Sequence, residues 1–308
     1  MSSRVGVDIG GTKILVARLE GDEVVGTKKR STPQSGVPKL IESVAKLVER
    51  VDPEGHAPVG VGLPGQIDAV AGTARSSPNL KGIDDEPVAI RDLVAEATGR
   101  EVAIDNDVNV ATLAEHRLGA GRGARDLLGV FVGTGVGGGL ILDGRLRRGS
   151  RGLAGEIGHM VVAHRDGAIC ACGLPGHLEA YAGRASLERR AREAHAEGRE
   201  TELVVIAGDE RMKSSVWAKA LEAGDPVARS LIDEALEALV AGITSVVVTV
   251  DLDLVVLGGG LAHRLGEPFR EDLESSVNQA MFASAQVRVR WAELGDDSGA
   301  IGAACLTD

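Results

Sequence analysis

Aromatic residues are scarce in this chain: three Phe, two Trp and one Tyr among 308 residues. The core must therefore be assembled from Val, Ile, Leu and Ala, and few rings remain for stacking on bases or sugars. Positive charge is also in deficit. The formal net charge is -11, which disfavours a nucleic-acid backbone or an anionic membrane surface as partner. There are three cysteines, one of them the isolated Cys305, too few for a disulfide framework and in keeping with a reducing cytoplasm. No long apolar run is present either. The longest uncharged apolar stretch, residues 127–142, contains six glycines and reads as strand, turn and strand, not as a membrane span. No signal sequence is read ahead of the first strand.

What the chain does have is a dense group of metal-binding side chains. Cys170 and Cys172 stand one residue apart, too close for an easy disulfide, with His159 before them and His177 after. Zn²⁺ in structural sites takes four tetrahedral N and S ligands, and a Cys₂His₂ set leaves no position open for a catalytic water. Gly173 and Gly176 supply the turns that a metal knuckle needs. The competing reading is two buried cysteines beside two unrelated surface histidines. His164 is a rival ligand, but residues 159–164 read as a strand, in which positions five apart point to opposite faces; His159 and His164 then do not share an ion.

Periodicity predicts strands over residues 4–9 and 14–19, joined by Gly10-Gly11-Thr12-Lys13 as a hairpin turn. An amphipathic helix over 37–51, a buried strand over 59–63 and a helix over 88–98 follow, with Gly99 as the stop. Residues 102–104 form a strand running into Asp105-Asn106-Asp107, and 108–118 are helical. Gly119-Ala-Gly-Arg-Gly123 reads as a boundary. A second strand, glycine turn and strand occupy 127–132, 133–139 and 140–142. Helices are predicted over 180–196, 214–223, 226–249 and 268–279, interrupted by strands over 254–257 and 287–291, with a last short helix over 298–306. Each half thus opens with strand, glycine turn and strand, which suggests two related α/β domains. The boundaries expected are 1–118 plus 298–308 for an N-terminal lobe and 119–297 for a larger C-terminal lobe.

The dinucleotide pattern G-x-G-x-x-G occurs at Gly60-Val-Gly-Leu-Pro-Gly65 and at Gly133-Thr-Gly-Val-Gly-Gly138. Neither copy is followed by the helix whose N-terminus would receive a pyrophosphate, which argues against a Rossmann oxidoreductase. Gly10, Gly11 and Thr12, together with the 133–139 turn, read better as paired phosphate cradles, although either alone is explicable as a turn former. Gly258-Gly259-Gly260 after the 254–257 strand suits close packing against adenosine.

Asp8-Ile-Gly-Gly-Thr-Lys13, Ser77-Pro-Asn-Leu80, Asn106-Asp107, Gly133-Thr-Gly-Val-Gly-Gly-Gly139, Glu156-Ile-Gly-His159 and Cys170-Ala-Cys-Gly173 occur in the order and spacing of the ROK (repressor, open reading frame, kinase) sugar kinases. The resemblance runs from Val5 to Ala304. It implies an α/β, two-lobed, actin-like/hexokinase (ribonuclease H-like) fold with an interdomain cleft, and ATP-dependent phosphorylation of a hexose at its 6-hydroxyl. The cofactors implied are ATP with Mg²⁺ and one structural Zn²⁺; the assembly implied is a homodimer or a dimer of dimers, in the cytoplasm, with no nucleic-acid or membrane partner. Glucose is the expected substrate; N-acetylglucosamine or N-acetylmannosamine is the alternative, and polyphosphate is an alternative donor. The same family contains sugar-responsive repressors, which form a different class of reading.

By the same resemblance, Asp8, Gly10, Gly11, Thr12, Lys13, Gly133, Thr134, Gly135, Gly137, Gly138, Gly259 and Gly260 hold the nucleotide. Gly65, Asn79, Asn106, Asp107, Glu156, His159 and Glu179 hold the sugar. Asp107 is the expected base, accepting the proton of the attacking primary hydroxyl; Asp105 is the alternative base, and a purely orienting Asp107 is a third reading. Asp8 organises Mg²⁺ through water, and Lys13 either reaches a phosphate or is a solvated strand-end lysine. One departure stands out. His177 occupies a position where the family usually has a third Cys, so the zinc site either becomes His159, Cys170, Cys172 and His177, or is weakened.

Overall fold

The computed structural model describes residues 3–77, 79–282 and 286–308; Pro78 of the Ser77–Leu80 motif lies outside the described residues. The chain divides into two compact units. The first comprises Met1–Arg125, Gly139–Gly155 and Ala292–Asp308, the second Asp126–Gly138 and Glu156–Trp291.

In the first unit, β1 (Ser3–Ile9), β2 (Lys13–Glu20) and β3 (Glu23–Ser31) form an antiparallel meander. Helix α1 (Val37–Val51) leads to β4 (Val59–Leu63), a small hairpin of β5 (Gln66–Asp68) and β6 (Thr73–Arg75), helix α2 (Ile90–Thr98), β7 (Val102–Asn106) and helix α3 (Asp107–Leu118). The sheet order is β3-β2-β1-β4-β7, with β4 parallel to β1 and β7 parallel to β4. Strand β4 and the Val5-Gly6-Val7 stretch of β1 are apolar runs because both faces of the sheet are covered. On one face lies the stripe Leu40, Ile41, Val44, Leu47, Val48 and Val51 of α1, at helical spacing, in the main core cluster with Val5, Val7, Val59 and Val61. Each such fully buried side chain contributes on the order of 1.5–3 kcal/mol. Strand β3 is almost wholly exposed and carries Lys28, Lys29 and Arg30, charge that protects a free edge from further pairing. Its polar, unpatterned sequence is why periodicity did not predict it.

Helix 88–98 begins later than periodicity predicts, at Ile90, because Val88 pairs with Ala74 as an isolated bridge. The strand predicted over 102–104 extends to Asn106 and the following helix starts directly at Asp107.

Strand β8 (Leu127–Val132) begins the second sheet, followed by β9 (Val136–Leu142) and β10 (Arg145–Arg147). The second strand of this hairpin therefore starts at Val136, not residue 140, so Gly137, Gly138 and Gly139 are strand residues and the turn proper is Gly133-Thr134-Gly135. Helices α4 (Glu179–Ala182), α5 (Arg184–Ala196), α6 (Glu202–Ala207), α7 (Ser214–Glu222) and α8 (Pro226–Val250) follow. Gly183 divides what periodicity predicts as one helix over 180–196. Strand β11 (Leu254–Gly258), helices α9 (Gly260–Leu265) and α10 (Glu267–Ala280), and β12 (Arg288–Trp291) follow. The order is β10-β9-β8-β11-β12, with β11 parallel to β8 and to β12. Relabelled in order of appearance, both sheets read third-second-first-fourth-fifth, so the doubling suggested by the sequence is a doubling of topology.

The chain ends in helix α11 (Ser298–Ala304) of the first unit. It lies against β1 and β4 so closely that a Cβ at Gly6 would overlap the Ala300 carbonyl and one at Gly60 the Ala303 carbonyl. Small residues along α11 and glycines in the strands are thus two halves of one contact. Among the described residues, no helix is long and apolar enough to cross a membrane.

Candidate active site

The predicted site residues fall into two groups, one in each unit. In the first, β1 delivers Asp8 to the edge of the Gly10-Gly11-Thr12 turn. The turn is closed by Gly10 N–H donating to Lys13 O at 2.9 Å and braced by Thr32, whose hydroxyl donates to Gly10 O at 2.6 Å and whose N–H donates to Thr12 O at 3.0 Å. Asn79, held in the left-handed region at φ 66°, packs against Gly11 so tightly that a Cβ there would overlap its side chain. The structure therefore places a residue of the predicted sugar set directly beside one of the predicted phosphate set. Lys13 lies 3.9 Å from Asp296, with its side chain 41% exposed, and makes a loose ion pair there.

Asn106, at the end of β7, caps helix α3: its Oδ1 accepts from Val108 N–H at 2.8 Å and Asn109 N–H at 3.3 Å. Its amide nitrogen donates to Gly65 O at 3.3 Å, which brings two more predicted sugar residues together. Capping turns Asp107 into the first helical residue. Burial pushes its carboxyl above the usual carboxylate range, against the lowering effect of hydrogen bonds from backbone amides. Asp8 is pushed up to about 7, first by burial and then by the neighbouring Asp107 charge, with Lys13 opposing. Two half-buried carboxylates whose charges oppose each other in this way suit an added cation. Magnesium held through its water shell meets that need.

Asp105 is differently placed. One of its oxygens accepts from Asn106 N–H at 2.8 Å and Asn109 Nδ2 at 2.9 Å, and the other pairs with Arg148 Nε at 2.5 Å. A carboxylate so engaged, 2% exposed, has no lone pair directed at a substrate, and Asp107 belongs to a helix, so the two do not share a strand face. That engagement by Arg148 and two amides argues against Asp105 as the base.

In the second unit, Glu156 precedes a short 3₁₀ turn, Ile157–His159. Residues 159–164 are therefore not a strand; the exclusion of His164 stands instead on its absence from the cluster that forms. His159, Cys170, Cys172 and His177 place one ligand atom each within 4.8 Å of one another. His159 Nδ1 and His177 Nδ1 are 3.3 Å apart, and Cys172 Sγ is 3.2 Å from His177 Nδ1. A tetrahedron with zinc–nitrogen bonds near 2.05 Å has edges of about 3.3 Å between imidazole nitrogens, so the donor set fits zinc in type, number and spacing.

Glu179, the first residue of α4, sits beside this cluster with Oε1 3.7 Å from Cys170 Sγ. Its Oε2 accepts the Val136 N–H at 2.9 Å, and a Cβ on Gly135 would overlap that oxygen. Thr134 is held from the other side: Arg184 Nη2 donates to its hydroxyl at 3.0 Å, and Ala185 N–H to its carbonyl at 2.9 Å. Gly137 and Gly138 continue the turn as strand, while Gly259, at φ 92°, and Gly260 link β11 to α9, with no room for a Cβ on Gly259 beside Val132.

A model of the ROK family matches residues 4–308. The chain belongs to the ROK family. Among its relatives, it is 32% identical to the glucokinase of Thermotoga maritima, over 98% of this chain and 96% of that one. It is 34% identical to the N-acetylgalactosamine kinase AgaK of Shewanella sp., over 98% and 95%. Solved structures resemble it throughout. The ROK hexokinase from Thermus thermophilus superposes with a TM-score of 0.86 at 36% identity, covering 98% of this chain and 96% of that one. A ROK family glucokinase from Streptomyces griseus in complex with glucose and AMPPNP gives 0.80 at 31%, covering 99% of each. The α/β architecture with two like-ordered sheets is accordingly the actin-like/hexokinase fold of the ROK hexokinases.

Three neighbours of this ROK site were not singled out by sequence reasoning: Thr32 on the first turn, Asn109 on Asp105 and Arg184 on Thr134. Asn109 follows Asp105 by four positions across the strand-to-helix junction that Asn106 caps; Thr32 and Arg184 reach their partners through tertiary packing and carry no local signal. Arg148 does carry one, since it belongs to the basic run Arg145, Arg147, Arg148 and Arg151.

Proposed function

We propose that this protein transfers the γ-phosphoryl group of ATP to the 6-hydroxyl of a hexose, with glucose as the preferred acceptor. The observation that carries the reading is the contrast among three neighbouring acids. Asp105 is engaged by an arginine and two amides, whereas among the described residues Asp8 and Asp107 have no ion pair, and both have raised proton affinity. Phosphoryl transfer needs that combination: a carboxylate to accept the hydroxyl proton, and a second that favours a hydrated cation near the phosphates.

In this reading Asp107, fixed at the first turn of α3, takes the proton from the sugar's primary hydroxyl. Magnesium, when bound with ATP, neutralises charge on the transferring phosphates. Asp8 orients that hydrated ion, and the amides of the two glycine turns face phosphate oxygens. By the family resemblance, Gly65, Asn79, Asn106, Glu156, His159 and Glu179 supply donors and acceptors for sugar hydroxyls. His159, Cys170, Cys172 and His177 would hold a zinc ion that would shape the 156–179 segment and take no part in the transfer. Sequence similarity to the glucokinases supports glucose. Similarity at 34% to an N-acetylgalactosamine kinase supports a second reading, in which an N-acetylhexosamine is the acceptor.

The deciding experiment is ADP release with Mg-ATP over glucose, mannose, fructose, N-acetylglucosamine, N-acetylgalactosamine and N-acetylmannosamine. Glucose is expected to have the highest kcat/KM. A higher value for an acetamido sugar would establish the second reading, and no turnover with any acceptor would remove both.

A further inference from the structure

We propose that Arg148 is a positioning residue for the phosphoryl transfer, acting through Asp105 on the start of helix α3; the inference rests on the kinase reading and on Asp107 as its base. Arg148 follows strand β10, and its own backbone is fixed: its carbonyl accepts the Ala154 N–H at 3.1 Å, closing a short loop whose turn residue Gly149 has φ 74°. From this anchored place the guanidinium Nε reaches a carboxylate oxygen of Asp105. Asp105 is 2% exposed and Arg148 is 40% exposed at its side chain. One partner is therefore inside the protein and the other closes it off from solvent.

The second Asp105 oxygen holds two donors that define where α3 begins, the backbone N–H of Asn106 and the side-chain amide of Asn109. Asn106 in turn caps Val108 and Asn109 and contacts Gly65. The chain of contacts runs Arg148, Asp105, Asn106, with Asp107 as the next residue. Each link is a hydrogen bond, so rotation of Asp105 releases the N–H of the Asp105–Asn106 peptide and the Asn109 amide together, and with them the capped turn on which Asp107 is the next residue. A displacement of about 1 Å at a reacting group can cost on the order of a hundredfold in rate.

Burial also makes the pair directional. Without Arg148, a buried Asp105 carboxylate loses its cationic partner and must either take up a proton or turn toward water. Either response weakens its grip on Asn106. The three other arginines of the run do not share this geometry: Arg147 pairs with Asp143 at 3.2 Å, and Arg145 and Arg151 are exposed.

The test compares Arg148→Met, Arg148→Lys, Asp105→Asn and the Arg148→Met/Asp105→Asn double variant by steady-state kinetics and by amide hydrogen exchange over residues 105–110. Arg148→Met is expected to lower kcat tenfold or more, to leave KM for Mg-ATP within threefold, and to speed exchange at Asn106 and Val108. Arg148→Lys should recover at least a third of wild-type kcat, and the double variant should be no slower than the worse single one. A kcat for Arg148→Met within twofold of wild type overturns the proposal, as do single losses that multiply in the double variant. Loss of kcat with unchanged exchange also overturns it, because Arg148 would then act on substrate and not through Asp105. If the wild-type protein phosphorylates no sugar, the kinase reading fails by itself, and exchange at Asn106 and Val108 alone decides whether Arg148 orders this turn.

Discussion

Asp8 and Phe131 occupy the same place in two sheets of the same strand order. Asp8 pairs across the parallel ladder with Gly62 of β4, and Phe131 pairs with Gly258 of β11; each stands two residues before a glycine turn into an antiparallel partner. Both turns close on a backbone bond of 2.9 Å, from Gly10 N–H to Lys13 O and from Gly133 N–H to Gly135 O. What differs is the side chain on the preceding strand and the way the turn is held. The first turn has an acid with raised proton affinity beside it and is braced by Thr32; the second has an aromatic ring and is braced by Glu179 and Arg184. One backbone frame therefore serves two electrostatic tasks: the first site favours a cation, and the second presents amides with no competing buried charge on its strand.

The comparison is broken most severely by removing the proposed base that accompanies the first turn. Asp107→Asn should lower kcat by on the order of 10²–10⁴, the usual contribution of a general base. Sugar affinity should stay within about tenfold, because the amide preserves shape. Retention of more than about a tenth of wild-type turnover would show that Asp107 only orients the sugar. The acid at the second turn, Glu179, is engaged by the Val136 N–H, so Phe131→Asp in the Asp107→Asn background should restore nothing.

A smaller effect is expected from filling the turns themselves. Each is packed against a residue of the proposed sugar set, Gly11 against Asn79 and Gly135 against Glu179. An alanine at either glycine must push its neighbour aside. Gly135→Ala displaces a flexible carboxylate and should raise KM for both sugar and ATP by roughly tenfold, about 1.4 kcal/mol each. A rise confined to ATP would mean that Glu179 holds the turn but not the sugar.

Metal removal sharpens the contrast further, since the second turn alone is tied to the cysteine–histidine cluster, through Glu179 and Cys170. Chelation, or His177→Ala, should speed hydrogen exchange over 133–136 and 156–179, raise KM for glucose severalfold and leave 10–13 unchanged. His177→Cys should retain or tighten zinc, because a third thiolate adds charge. Stoichiometric zinc in His177→Ala, with unchanged resistance to chelators, would remove His177 from the ligand set.

The sequence made the hairpin at residues 4–19, the amphipathic helix α1 and the strand leading into Asp105-Asn106-Asp107 legible because each has an unbroken apolar period or a glycine turn. It misplaced the start of β9, since Gly137, Gly138 and Gly139 look like turn residues and only the pairing of the sheet makes them strand. It did not reveal strand β3, which has a polar sequence and gets its conformation from pairing with β2. The cysteine–histidine cluster was readable from spacing, as was the Asp105–Asp107 group. The engagement of Asp105 was not, because it depends on Arg148, which lies 43 positions away from Asp105 in the chain.

The smallest expected effect concerns the first turn alone. Asp8 carries its proton up to about pH 7, against an ordinary value of 3.8. A raised folded-state value means that the stabilisation from this group is complete below about 3.8 and is lost as pH rises through about 7. Mg²⁺ acts in the opposite sense, because it requires the ionised carboxylate. At tenfold its Kd, Mg²⁺ should stabilise the protein by about 1.4 kcal/mol at pH 8, a shift of a few degrees in Tm, and by much less at pH 5.5. Thermal melts at the two pH values, with and without Mg²⁺, measure the difference, and Asp8→Asn should abolish it. An equal shift at both pH values, or a pH-dependent shift that survives Asp8→Asn, would place the cation elsewhere and leave the strand before the first turn no different in kind from the strand before the second.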